Sequence, residues 1–243
     1  MIANAFRQAM KSMSVPKPMA TRTGFVYGNP TLYQMESMLE PNEVSDAIIK
    51  SGVLNKYYSM PWQSFIEGGE RVAKAEIDYM ISLQHALTDE DKVFITACEK
   101  DHAKVWHEYL KELNIPSISR DEIHRLFTKT DCIIFLLKYH YQRPRPLQLA
   151  YQYAINLYPY LATDANSPAY PSGHAFDSYN VAFLLAKRYP EKAMQLVDMA
   201  EKITMSRIKG GVHYPSDSII SKMLTRELVD NGFFDKYLEH DKH

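Results

Sequence analysis

Apolar residues recur at helical spacing along most of this chain, and no run of alternating apolar and polar positions marks a strand. Residues 1–40 break the pattern. Pro16, Pro18, Gly24, Gly28 and Pro30 punctuate them, which predicts an irregular N-terminal arm or loop. Pro41 is a favourable first helical position, and a helix is expected from there to Ser51. Another covers Trp62 to Leu87, with Gly68-Gly69 as the place where it would be interrupted. Thr88 and Asp91 form a capping box for a helix that carries Phe94, Ala97, Cys98, Val105 and Tyr109 on one face and ends before Pro116. Ser119 and Glu122 form a second box, opening a helix to Tyr141 that Pro144 and Pro146 stop. Later helices are expected over 146–158, 172–188, 190–208 and 216–230. No internal repeat or linker-like tract divides residues 41–243, so they read as one domain: an all-α, single-domain helical bundle with long connecting loops.

Composition narrows the classes. The chain has 243 residues, 46% hydrophobic and 23% charged, ordinary values for a globular protein with a sizeable core. A formal net charge of −1 gives no basic footprint for nucleic acid or an anionic membrane. Cys98 and Cys132 are too few for a disulfide scaffold, and the sequence does not show whether they meet. No stretch approaches the roughly 20 apolar residues of a membrane span. The longest continuous apolar run, Cys132 to Leu137, ends at Lys138. The expectation is a soluble protein. Asn4, Arg7, Gln8, Lys11, Ser12 and Ser14 keep Met1 to Met19 from reading as a secretory leader. That implies a cytoplasmic address for the chain as written, and a periplasmic one if a leader has been removed. The amphipathic helices and the arm suggest a homodimer.

Three basic clusters carry the chemistry. Lys138 continues the face of Ile123, Phe127, Ile134 and Tyr141, where it either snorkels to water, pairs with Asp131 on the same face, or meets a buried anion. Arg143 and Arg145 alternate with prolines, so an extended backbone points them in different directions and only one shares a target with Lys138. Pro171-Ser172-Gly173-His174 precedes the apolar helical pattern of Val181, Ala182 and Leu185. It is either a serine-capped helix with a solvent-facing histidine, or an anion site built on free backbone N–H groups, the Ser172 hydroxyl and close approach at Gly173. Arg207 falls in register with the stripe Ala193, Leu196, Val197, Ala200 and Ile203, and a buried arginine needs a paired anion. Gly210-Gly211 then turns the chain toward His213, and Asp217 follows four residues later. That pair is either a local cap or a histidine whose tautomer a carboxylate fixes, leaving one nitrogen free to attack.

A metal is the rival use for two histidines and an aspartate, but Lys138, Arg145 and Arg207 would crowd cations around a cation; a multiply charged oxyanion fits better. His102 and His107 lie beside Asp101 and Glu108 and read as polar surface rather than as metal ligands. Trp62, Trp106 and the tyrosines read as packing.

Lysine, six residues, Arg-Pro; Pro-Ser-Gly-His; and Ser-Arg, five residues, His, three residues, Asp: this pattern resembles the type-2 phosphatidic acid phosphatase and vanadium haloperoxidase superfamily. Lys138 to Arg145-Pro146, Pro171 to His174, and Ser206-Arg207 to His213 and Asp217 match every position, within residues 138–217. Residues 1–120 carry no such signature. The resemblance implies that Lys138, Arg145 and Arg207 hold phosphate oxygens and that Ser172 and Gly173 add donors. It also implies that His213 attacks phosphorus to form a phosphohistidine, with Asp217 orienting it and His174 protonating the leaving group. No cofactor or metal is implied, and vanadate would inhibit. His213 would act neutral and His174 protonated, which predicts a bell-shaped pH profile. Size and helical layout look like the class A bacterial acid phosphatases, secreted monoesterases of broad specificity, which implies a small phosphorylated substrate. The chain departs from them in lacking a visible leader and in reading Ala-Tyr-Pro-Ser-Gly-His-Ala. Those neighbours also occur in the haloperoxidases, usually much longer proteins that use vanadate as a cofactor. A third reading is a catalytically silent phosphate-binding protein. Substrate choice would reside in loops at 20–60 and 159–170, which have no readable code.

Overall fold

The apolar periods fold as helices. A computed structural model describes residues 30–60, 69–115, 118–160 and 167–237. Within them run α1 (Leu32–Leu39), α2 (Glu43–Ser51), α3 (Asn55–Tyr58), α4 (Gly69–His85), α5 (Asp89–Glu112), α6 (Arg120–Thr128), α7 (Asp131–Tyr141), α8 (Pro146–Gln152), α9 (Gly173–Arg188), α10 (Ala193–Lys209) and α11 (Pro215–Asp230). No strand occurs among the described residues, so the architecture is all-α as expected. None of these helices is long and apolar enough to cross a membrane.

The centre is α9. Every residue from Ala175 to Leu185 is buried, so this helix keeps no polar face for water until its basic end at Lys187 and Arg188. It packs against α10 and α11, with α6 touching it as well. α5 lies across α10 and α6, and α1 covers α7. One main apolar core draws side chains from Val44 to Phe234, including the fully buried Trp106, Tyr57, Phe176 and Leu224. Cys98 and Cys132 are buried and unbridged.

Three elements differ from the expected layout. Leu32–Leu39 is a helix, closed by a capping box between Thr31 and Gln34, although residues 1–40 read as irregular; residues 1–29 lie outside the described residues. Three prolines and two glycines upstream mask a box that the sequence carries openly. The helix expected from Ser119 to Tyr141 breaks at Lys129 and Thr130. There the Thr130 hydroxyl donates to the Phe127 carbonyl at 2.9 Å, while Asn42 Nδ2 and Ser45 Oγ donate to the Lys129 carbonyl at 2.9 and 2.6 Å. Side chains at the start of α2 thus take the Lys129 carbonyl that the next helical turn would have used. The helix from Pro146 stops at Gln152, not near 158. Ala154 turns left-handed (φ 54°) and Ile155 N–H returns to the Ala150 carbonyl at 2.8 Å, closing the helix end. The start expected at Trp62 lies outside the described residues.

Candidate functional site

The first cluster sits where α7 ends. Gln142 adopts a left-handed conformation (φ 48°), and the chain leaves extended through Arg143-Pro144-Arg145. Lys138 is buried, and its Nζ donates to the Pro168 carbonyl at 2.6 Å. Asp131 is not its partner. Seven residues along a helix put the two about 10 Å apart, and Asp131 instead accepts a hydrogen bond from the Tyr33 hydroxyl of α1. The two arginines diverge as the prolines predict. Arg145 donates through Nε to the Ser167 carbonyl (2.8 Å) and through Nη1 to the Val212 carbonyl (2.7 Å) and to His213 Nε2 (3.0 Å). Arg143, fully buried, turns the other way and binds Asp217 Oδ1 (2.5 Å), Ser216 Oγ (2.7 Å) and Glu76 Oε2 (2.9 Å).

The second cluster forms the start of α9. Ser172 is its N-cap, with Oγ accepting from Ala175 N–H at 3.4 Å. Gly173 and His174 begin the first turn, where backbone N–H groups lack helical partners. A Cβ on Gly173 would meet only the Ile134 methyl at 3.8 Å, ordinary contact, so protein packing does not demand glycine there. Ser172 N–H donates to the Asp217 carbonyl (3.1 Å), and Ser221 Oγ lies 2.8 Å from the carbonyls of both Ser172 and Asp217. These bonds tie the start of α9 to the start of α11.

The third cluster closes the site from α10 and α11. Arg207, buried near the end of α10, forms an ion pair with Glu99 of α5. Past α10, Gly211 carries φ +82°, and a Cβ there would stand 2.8 Å from the Pro159 backbone. Gly211→Ala is therefore expected to destabilise the protein by about 1–3 kcal/mol, the cost of left-handed strain with a clash added. A thermal melt reads it; an unchanged midpoint would show that this turn does not position the segment leading to His213. His213 Nδ1 then lies 3.0 Å from Asp217 Oδ2, which also accepts from Tyr214 N–H at 3.0 Å.

The bonds on His213 fix its tautomer. A guanidinium only donates, so Nε2, facing Arg145, must accept. The proton is on Nδ1 and goes to Asp217. Electrostatics agree: burial, then the charges of Arg145, Lys138, Arg207 and Arg143, hold His213 well below the usual histidine range. The same crowding acts on Lys138, which burial and then Arg145 push well below the usual lysine range. His174 donates one ring N–H to the Cys98 carbonyl. Burial first, then Arg207, His102 and His213, lower its proton affinity well below normal. That shift favours the neutral imidazole at His174.

The structure brings Lys138, Arg145, Ser172, Gly173, His174, Arg207, His213 and Asp217 into one site. It adds Glu76 and Glu99, which the sequence did not mark, and gives Arg143, the arginine that turns away, a place behind Asp217. Glu76 and Glu99 sit on the polar sides of α4 and α5, and only the packing shows that these sides face buried arginines. It also moves His102 off the surface. A break in α5 at Asp101 (φ −167°, ψ 84°) turns His102 inward, where its ring stacks on Phe127. His107 is likewise engaged, with Nδ1 2.9 Å from the Ile118 carbonyl.

No curated protein matches the chain. Residues 126–226 match the PAP2 superfamily model, a span that runs from the end of α6 through α11 and holds all three clusters. With the helical fold and the full signature inside that span, this part of the chain is similar to the PAP2 superfamily.

Proposed function

We propose that this protein hydrolyses phosphate monoesters without a metal, through a phosphohistidine on His213. The observation that carries the reading is the state of His213. Its Nε2 lone pair is exposed to the cation cluster by a proton that Asp217 holds on Nδ1. Arg145 stands 3.0 Å from that nitrogen and the charges of Lys138 and Arg207 also act on His213, cations that suit the spread charge of a phosphoryl transition state.

The steps follow from the groups present. A phosphate dianion replaces Nη1 of Arg145 at Nε2 and takes donors from Lys138, Arg145, Arg207, the Ser172 hydroxyl and the Gly173 N–H. His213 Nε2 attacks phosphorus; the P–N bond forms as the ester P–O bond breaks. The imidazolium character that develops on His213 is offset by Asp217. His174 gives its proton to the departing alkoxide. Water then attacks the phosphohistidine, His174 takes a proton from that water, and His213 departs with its lone pair restored. Burial and Arg207 hold the proton affinity of His174 below normal, so it must gain its proton when the dianion arrives and offsets the charge of Arg207.

The test is p-nitrophenyl phosphate hydrolysis by chelator-treated protein, with and without vanadate, beside His213→Ala. The expected result is vanadate-sensitive turnover that needs no metal, vanishes in the variant, and shows an acid-labile phosphoryl group on quenching. Halide oxidation with vanadate and peroxide in place of ester hydrolysis would refute the reading. So would phosphate binding with no turnover.

A further inference from the structure

Beside His174 lies a second histidine–carboxylate pair that the steps above do not use. His102 Nε2 is 3.1 Å from Asp177 Oδ2, and both side chains are largely buried. The His102 ring lies flat on Phe127, with centroids 4.5 Å apart and planes within 3°. It also meets the ring of His174, with centroids 4.3 Å apart and planes tilted by 33°. Asp177 stands on α9 one turn after His174, so the carboxylate that holds His102 and the histidine that His102 touches share one rigid helix.

We infer that His102, in ring contact with Phe127 and His174 and held by Asp177, is a positioning residue that keeps the His174 ring aimed at the leaving oxygen, so that residue 102 decides how poor a leaving group can be expelled. The inference rests on the monoesterase reading and deepens it. An imidazole that bonds the Cys98 carbonyl can still rotate about that bond; ring contact with His102 restricts this freedom. The neighbours give the contact an electrostatic side. Asp177 faces His102 and His124, and Asp131, bonded to Tyr33, adds its charge from α7. Asp101, paired with Arg120, lies next to His102 in the chain. On the far side, Arg207 with Glu99, and His213, face His174. Charge on His102 opposes a proton on His174, so the carboxylates around His102 also govern the acid.

The test compares His102→Ala, which removes the ring, with His102→Phe, which keeps an aromatic ring for the stack and removes the titratable nitrogens. p-Nitrophenyl phosphate has a leaving group that needs little protonation; an alkyl phosphate needs it fully. Because general acid catalysis contributes about 10²–10⁴-fold, His102→Ala is expected to lose at least tenfold in kcat on the alkyl ester. The loss on the nitrophenyl ester should stay under about threefold on the same reasoning. His102→Phe should recover most of the alkyl-ester rate. The histidine ring signals of His102→Phe, followed by NMR, should show His174 titrating at higher pH than in the wild type. Equal losses on both esters would overturn the inference, as would a His102→Phe no better than His102→Ala or an unmoved His174 titration. Should the wild type cleave neither ester, the monoesterase reading fails by itself, and the NMR titration still decides whether His102 controls His174.

Discussion

Asp217→Asn is expected to lower kcat by about 10⁴-fold, the size of effect that follows when the carboxylate fixing a catalytic histidine becomes an amide. The carboxylate accepts from three directions: His213 Nδ1, Tyr214 N–H and Arg143. An asparagine keeps one acceptor oxygen and replaces the other with a donor. If the oxygen stays with Arg143, the new NH₂ faces His213 and Nδ1 must accept. The proton then moves to Nε2, and the nitrogen that should attack is blocked. If the amide flips, its NH₂ meets the guanidinium. Either way a buried polar group is mismatched, and a loss of about 1–3 kcal/mol in stability accompanies the kinetic loss. Steady-state kinetics and a denaturant melt read both. A variant with near-normal kcat would remove Asp217, and with it the tautomer argument, from the mechanism.

Lys138→Met is expected to produce the opposite combination: turnover lost, stability kept or raised. In the anion-free site the ammonium is buried beside Arg145 and within the field of Arg207, with Asp217 as the opposing charge. Its gain is one hydrogen bond to the Pro168 carbonyl. A methionine of similar length drops a desolvated, repelled charge and keeps the packing. Stability should therefore not fall, while kcat/KM drops by about 10²-fold or more as one transition-state cation is lost. Sulfate, whose charge is constant between about pH 5 and 8, tests the same balance. Bound sulfate favours protons on His174 and His213, both held below the ordinary range when the site is empty. Binding thus takes up protons, and affinity rises as pH falls, by up to about tenfold per pH unit for each proton taken up. The stabilisation from a fixed sulfate concentration should be larger at low pH in the wild type and much smaller in Lys138→Met. Without the anion the sign for these two histidines is reversed: their contribution is fully present above about pH 6.5 and falls away as pH drops toward their folded values. Asp131, pushed up to about 6 by burial, works against that trend. Comparing melts with and without sulfate cancels such background groups. A sulfate effect that is flat with pH would mean that neither histidine is linked to the anion.

What the sequence made legible was whatever is local or follows spacing. Lys138, Arg207 and the Ser172 cap lie where helical register puts them, and His213 and Asp217 are four residues apart across one turn. The capping boxes at Thr88 and Ser119 mark true helix starts. What stayed hidden depends on contacts between distant elements. The break at Lys129 needs Asn42 and Ser45 from 84 or more residues away. Glu99 looks like any surface glutamate until α10 brings Arg207 against it. The inward turn of His102 follows from an extended residue inside a helix whose pattern shows no interruption. In each case the deciding partner is absent from the local window, and no periodicity encodes it.

Arg143 reaches back to Glu76 on α4, and Glu76 also receives the Ser216 N–H at the start of α11 with a 2.7 Å bond. Glu99, which answers Arg207, likewise precedes the span that carries the family pattern. A fragment cut to residues 126–226 would therefore bury Arg207 with its countercharge deleted, and would leave α11 with one of its first N–H groups unanswered. The recognisable segment writes the reaction, but its charge balance is completed by the half of the chain that looks anonymous. Grafting the three clusters into another helical scaffold would have to carry both glutamates with them.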